Sequence, residues 1–195
     1  GHAMPTPNAA ALDFLLTRRS RPAKTLAGPA PDRTALEPIL TAGVRVPDHG
    51  KLEPWRLVVL ERGAMDRVAG IAARRAEAMG MDPDKARKGI TQFSESPLCV
   101  AVIHVPRSIE KVPAREQELS VSNVALSILN AALAAGWGAC WLTGWPAYDD
   151  GFGEAALGLQ PGEWIAGFVH IGTETSVPPD RPRPDLSAIT TWVSE

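Results

Sequence analysis

A chain of 195 residues is long enough for one domain, or two tightly merged ones, with a sizeable core. Its 45% hydrophobic and 22% charged content is that of an ordinary globular protein, and a net charge of −2 gives no basis for nucleic acid or an anionic membrane as partner. The longest apolar run, Val124 to Trp141, carries Ser127 and Asn130 and is too polar to span a bilayer, so a soluble, cytoplasmic protein is expected.

Gly1-His2-Ala3 has the look of a tag remnant, leaving residues 4–195 as the expected single domain. The "PTPNAAALDF" that follows has neither the basic start nor the long apolar middle of a signal peptide. Asn8 is placed to cap a first helix. Leu12, Leu15 and Leu16 share one face of it, and it runs out in Arg18-Arg19-Ser20, where cations suit the negative end of the macrodipole. After the loop "AGPAPD", Asp32 caps a second helix with Leu36, Ile39 and Leu40 on its apolar face. Gly43 and Pro47 end that helix and open a loop crowded with Arg45, Asp48, His49 and Lys51, either a solvated turn or a holder of something anionic and polar.

Trp55 to Leu60 is short, β-branched and apolar, a buried strand. Gly63 to about Phe93 is rich in Ala, Arg and Lys and suggests two surface helices broken around Gly80 to Pro83. Leu98 to Val105 is a second buried strand. The longest helix follows, polar at its start and apolar nearly all round from Val124, so it must be sandwiched between the sheet and something else, which could be another subunit. Gly136 and Gly138 stop it; "ACWLTG" is a strand entering a turn, Gly153 to Leu159 a short helix, and Trp164 to Gly172 a third long strand. The proline-rich tail "TSVPPDRPRPD" must run extended over a surface. An α+β or α/β domain with about four strands results.

Cys99 and Cys140 both lie in apolar runs and are expected as buried free thiols. His49, His104 and His170 are scattered, with no HxH, HExxH or CxxC spacing, so no metal site is expected. His104 and His170 sit in apolar strands as satisfied core or strand-end histidines. GxGxxG after the first strand, GxxxxGK[ST] and GxSxG are all absent, which removes the dinucleotide, P-loop and hydrolase-elbow readings. What remains is arginine: Arg18, Arg19 and Arg45, with the Ser20 hydroxyl, suit a phosphate and a polyol.

In this order and spacing, "LLTRRSRP", "ILTAGVRVPDHGKLEPWRLVVL", "KVPAREQELSVSNVALSILNAALAAGWGACWLTG" and "IAGFVHIGT" together resemble the nitroreductase family of flavoproteins, most closely its small bacterial NAD(P)H nitroreductase branch. The resemblance runs from about Leu12 to Thr173. It implies an α+β fold with a mostly antiparallel sheet of four or five strands flanked by helices, in an intertwined homodimer with FMN at the subunit interface. Arg18, Arg19 and Ser20 match the family's first FMN segment, at phosphate, ribityl and pyrimidine edge. Arg45 and His49 match positions that reach the FMN from the partner subunit. Trp141, Leu142 and Thr143, with Gly144, match the segment beside the ring. Arg183 resembles a C-terminal phosphate-binding arginine of the larger enzymes. Those enzymes carry an Asn in the loop before "QPW", where this chain has Gly50-Lys51-Leu52-Glu53-Pro54-Trp55.

The implied activity passes a hydride from NADH or NADPH through FMN to a nitroaromatic, quinone-like or other small acceptor in ping-pong fashion, with no side chain as general acid. The alternative is a non-catalytic flavin store or sensor of the same fold.

Overall fold

A computed structural model describes residues 4–195; the expected tag remnant, residues 1–3, lies outside the described residues. Five strands form one sheet: β1 (Leu26–Ala27), β2 (Trp55–Glu61), β3 (Leu98–His104), β4 (Gly138–Leu142) and β5 (Trp164–Glu174). Every pairing is antiparallel. β5 is the hub, with β3 along one side and β4 along the other. β2 continues from β3 as an edge, and β1 adds a short pairing at the far end of β5. The sheet expected from the sequence is therefore present, with β1 as the strand too short to leave a pattern.

Residues alternate between two faces, and each face has its own core. Leu98, Val100 and Val102 of β3, with Val169 and Ile171 of β5, pack against α2 (Arg33–Gly43) and α5 (Ala114–Ala134). Cys99, Ala101, Ile103 and Phe168 point the other way, onto α3 (Met65–Ala78), α4 (Pro83–Ser94) and α6 (Asp150–Leu157). β3 is buried at every position, as a strand covered on both faces must be. α3 and α4 are more than the surface helices their composition suggested. Met65, Val68, Ala72 and Phe93 are fully buried, on a stripe that abundant Ala and Arg conceal.

Asn8 and Asp32 cap α1 (Ala9–Thr17) and α2 as expected, accepting from the N–H groups of Ala11 and Ala35 at 3.1 and 2.8 Å. α1, however, ends at Thr17, and Arg18 is already extended. Arg18 is thus the C-cap of α1, its N–H donating to Phe14 O at 2.8 Å, and Arg19 follows beyond the helix, so the paired arginines stand at the helix end rather than in its last turn. Leu12, Leu15 and Leu16 lie on α1 with more than half of their surface in solvent, and Leu126 on α5 is exposed as well. The tail past β5 is extended apart from one helical turn, α7 (Leu186–Ile189), and leaves Trp192 89% exposed.

Cys99, His170 and Cys140 occupy one row across β3, β5 and β4. Two strand spacings put the cysteine Cα atoms roughly 9–10 Å apart, beyond disulfide reach. Both are free and buried. Among the described residues no helix is long and apolar enough to cross a membrane.

Candidate functional site

Three guanidinium groups converge just past α1. The segment after Thr17 is tied to β4 by the Arg21 N–H, which donates to Ala139 O at 2.8 Å. Arg18 Nη2 then donates to Ser20 Oγ at 3.2 Å, and Arg19 donates to Ser20 O at 2.9 Å and to Pro179 O at 3.1 Å. The tail brings Arg183 back onto Arg18 O at 3.2 Å, with Asp180 as its own acid partner at 2.9 Å. The structure thus brings Arg183 to Arg18, Arg19 and Ser20 across most of the chain's length. Arg18 Nε is buried and has no acceptor. Burial, and then the nearby Arg183 and Arg19, hold the Arg18 guanidinium below its ordinary value. A cation stripped of water without a counter-charge is costly, and an incoming anion relieves it.

The loop from Val44 to Trp55 is built differently. It lines a shallow depression of about 750 Å³ with Arg45, Asp48, Lys51, Glu53 and Trp55. Gly50, Lys51 and Glu53 all have positive φ, at 76°, 53° and 48°, a conformation that costs the two non-glycine residues. Its neighbours enforce it. Asp48 accepts from the Glu53 N–H at 2.9 Å, Ser120 Oγ donates to Pro47 O at 2.6 Å, and Arg107 donates to Leu52 O and Glu53 O at 3.1 and 3.0 Å. His49 Nδ1 lies 3.3 Å from Glu116 at the start of α5. Arg107 and Glu116 were invisible in the sequence, because only tertiary structure brings them to the loop.

Trp141 and Leu142 end β4, and Thr143 and Gly144 turn away from it. Trp141 Nε1 donates to Ala166 O at 3.2 Å, on the residue skipped by a bulge between β3 and β5. Gly144 takes φ 67° and ψ 179°, a conformation open to glycine. Gln92 on α4 donates to Thr143 O at 3.3 Å. Gln92 Oε1 in turn meets His170 Nε2 at 2.9 Å, and His170 Nδ1 meets Ser96 Oγ at 2.7 Å. His170 and His104 are satisfied buried histidines, as expected; His104 Nδ1 donates to Pro54 O at 2.9 Å. Burial pushes His170 down to about 4.

The three groups do not all meet in one chain. Arg18–Ser20 and Trp141–Gly144 flank β4, one edge of the sheet, while Arg45 and His49 lie at the β2 edge near Trp55. Arg21 is bonded at the row of Ile171, and Trp55 aligns with Trp164 through His104. These are opposite corners, on the order of 25 Å apart by strand spacing and rise.

A profile described as "Nitroreductase family" matches residues 15–173. The chain belongs to the nitroreductase family. It is 34% identical over 163 residues to "Putative NAD(P)H nitroreductase YdjA" of Escherichia coli K12, covering 84% of this chain and 87% of that one. Among solved structures, a nitroreductase-like family protein from Bacillus cereus aligns with a TM-score of 0.80 at 20% identity, covering 98% of this chain and 99% of that one. The FMN and NADPH-dependent nitroreductase NfnB from Sphigopyxis sp. strain HMH aligns with a TM-score of 0.71 at 19% identity, covering 94% and 99%. The nitroreductase resemblance in the sequence is therefore correct, and so is the nitroreductase-like fold. The family is one of oxidoreductases.

Proposed function

We propose that this nitroreductase-family protein is an FMN-dependent NAD(P)H oxidoreductase, reducing nitroaromatic, quinone-like or other small acceptors as a cytoplasmic homodimer. The observation that carries the reading is Arg18, with its Nε buried and unpartnered beside Arg19 and Arg183. Three guanidinium groups share one carboxylate, Asp180 on Arg183, and Arg18 has none, so the set suits a phosphate monoester and the residues present fit FMN. When bound, FMN supplies the hydride chemistry between NADH or NADPH and the acceptor. Arg18, Arg19 and Arg183 hold the phosphate, and Ser20 offers its hydroxyl to the ribityl chain. Trp141, Leu142, Thr143 and Gly144 border the ring and keep water from one side of it.

Arg45 and His49 serve the site of a second copy, since within one chain they stand at the opposite corner of the sheet. The exposed leucines of α1, Leu126 of α5 and Trp192 of the tail are the kind of apolar surface that a second copy covers. His49, steadied by Glu116, and Arg45 would then close the cofactor between two chains.

The decisive measurement is the absorption spectrum of the purified or FMN-reconstituted protein, followed by anaerobic titration with NADH and with NADPH. Stoichiometric yellow protein bleached by either nucleotide and recoloured by an acceptor is expected. Bound flavin that neither nucleotide bleaches would make it a store or sensor; a chain that takes up no flavin overturns the reading. Mixed dimers test the shared site: Arg18→Ala paired with Arg45→Ala places both lesions in one site and leaves the other intact, so one FMN binds tightly. Two equally weakened sites would put both arginines in one chain's site.

A further inference from the structure

Gln92 and Ser96 lie outside every motif of the family resemblance, and His170, within "IAGFVHIGT", enters there only as a satisfied core histidine, yet the three bear on the turn that borders the proposed ring site. The direction of each hydrogen bond in the group is forced. Thr143 O can only accept, so Gln92 presents its NH₂ there, at 3.3 Å. Its Oε1 then faces His170 Nε2 at 2.9 Å and needs a proton from it. A neutral imidazole with its proton on Nε2 leaves Nδ1 as an acceptor, filled by the Ser96 hydroxyl at 2.7 Å. Donors thus run one way, from Ser96 through His170 and Gln92 to the Thr143 carbonyl. Ser96 and His170 are 4% and 1% exposed, so the bond between them is shielded from water, while Gln92 and Thr143 are half-buried.

α4 grips the same turn at two further points. Trp145 Nε1 donates to Lys85 O at 3.1 Å, and the Trp145 indole lies so close over Gly89 that a Cβ there would fall 2.2 Å from Nε1. Residues 85, 89 and 92 share one face of the helix. The turn's backbone is therefore clamped from one side. In a trans peptide the C=O and the following N–H point in opposite directions. With Thr143 O drawn toward α4, the Gly144 N–H is turned away from it, and among the described residues no backbone acceptor takes it.

We infer that Gln92, held by His170 and Ser96, is a positioning residue that sets the Thr143–Gly144 peptide so that the Gly144 N–H is offered as a donor to the edge of the bound flavin ring. This rests on the flavoprotein reading above. A donor preset in this way needs no reorganisation when electron density grows on its partner, so it favours the reduced ligand over the oxidised one.

The test uses Gln92→Leu, which removes the donor, and Gln92→Glu, whose carboxylate also lacks it until protonated. In FMN-free protein the Gly144 amide resonance should move or double in Gln92→Leu as the peptide loses its single orientation. In FMN-loaded protein the midpoint potential should fall, a tenfold loss in preference for two-electron-reduced FMN being about 30 mV. FMN affinity should change by less than threefold, since the phosphate arginines are untouched. Gln92→Glu should show both defects at neutral pH and recover the wild-type resonance and potential as the pH is lowered. A packing role alone would lower the melting temperature without moving the potential and without rescue by acid. An unmoved Gly144 resonance in Gln92→Leu overturns the inference, as does an unmoved potential. Wild-type protein that binds no FMN fails the flavoprotein reading and with it the ring-edge partner, whereas the Gly144 resonance still shows whether Gln92 sets the peptide.

Discussion

Behind the sheet, on the side of α3, α4 and α6, charged and polar groups are answered. Arg75 donates to both carboxylate oxygens of Asp149 at 2.8 and 3.0 Å, and Arg56 grips Glu163 in the same forked way at 3.0 Å. The arginine hydrogen bonds hold both carboxyls below their ordinary values. At the rim beside β4 the same side chain is used in the opposite way. Arg18 is desolvated among other cations and has an empty Nε. A paired fork fastens elements of this chain to one another, whereas an unpaired one has its stabilisation deferred to a ligand. The presence of arginine says little; what lies opposite the guanidinium decides its use.

The largest effect expected comes from the answered side. His170 stays neutral in the folded chain down to about pH 4, while an unfolded imidazole takes up its proton near 6.5. Its contribution is therefore complete above about pH 6.5 and is lost as the pH falls toward 4, on the order of 3 kcal/mol in all. Urea midpoints of the FMN-free protein across this range should fall steeply, and His170→Gln should flatten part of the slope. His104, also lowered by burial, supplies another part in the same direction. An equal slope in His170→Gln would mean that this interior tolerates the charge.

The rim should respond in the opposite sense. Arg18→Ala should weaken FMN by about 2–3 kcal/mol, tens- to a hundredfold, through loss of a charge-assisted contact. It should leave the melting temperature of the FMN-free protein unchanged or higher, because an uncompensated cation is gone. A melting temperature lowered as far as a paired arginine's loss would lower it removes the distinction between the two regions.

The smallest effect sharpens the comparison from the other side. Asp149→Ala removes the cap of α6, whose Phe152 N–H it accepts at 3.0 Å, and leaves Arg75 without its partner. A loss of about 1–2 kcal/mol, the range for an N-cap, is expected in stability, with FMN affinity unmoved. A drop in FMN affinity as large as that of Arg18→Ala would show that the two sides are coupled.

Much of this was legible in the sequence, and for physical reasons. β3 and β5 announce themselves because a strand buried on both faces is apolar almost without interruption. β2 was legible through its β-branched run, although as an edge strand it is only half-buried from Trp55 to Val59 rather than buried as expected. Asn8, Asp32 and Gly144 mark caps and a turn through local geometry. β1 was missed because two residues carry no period. The buried stripe of α3 was missed because alanine is neutral in such patterns. Arg18 stood out only within a motif, and the reason for its exposure to ligand, an early end to α1, depends on tertiary ties to β4. Gln92, Arg107 and Glu116 gave no signal at all. Each acts on a loop far from it in sequence, and such a contact leaves no trace in local spacing.

The row of Cys99, His170 and Cys140 has a practical consequence. Burial raises both thiols well above neutrality, Cys140 to about 12, so neither is nucleophilic while the sheet is intact. Cys99 lies on β3, held between β2 and β5, where opening requires those strands to separate, whereas Cys140 lies buried on the edge strand β4. A thiol reagent added in excess therefore counts openings of the sheet, at its edge through Cys140 and at its centre through Cys99. The native chain carries its own clock for kinetic stability, readable with and without cofactor and with no engineered label.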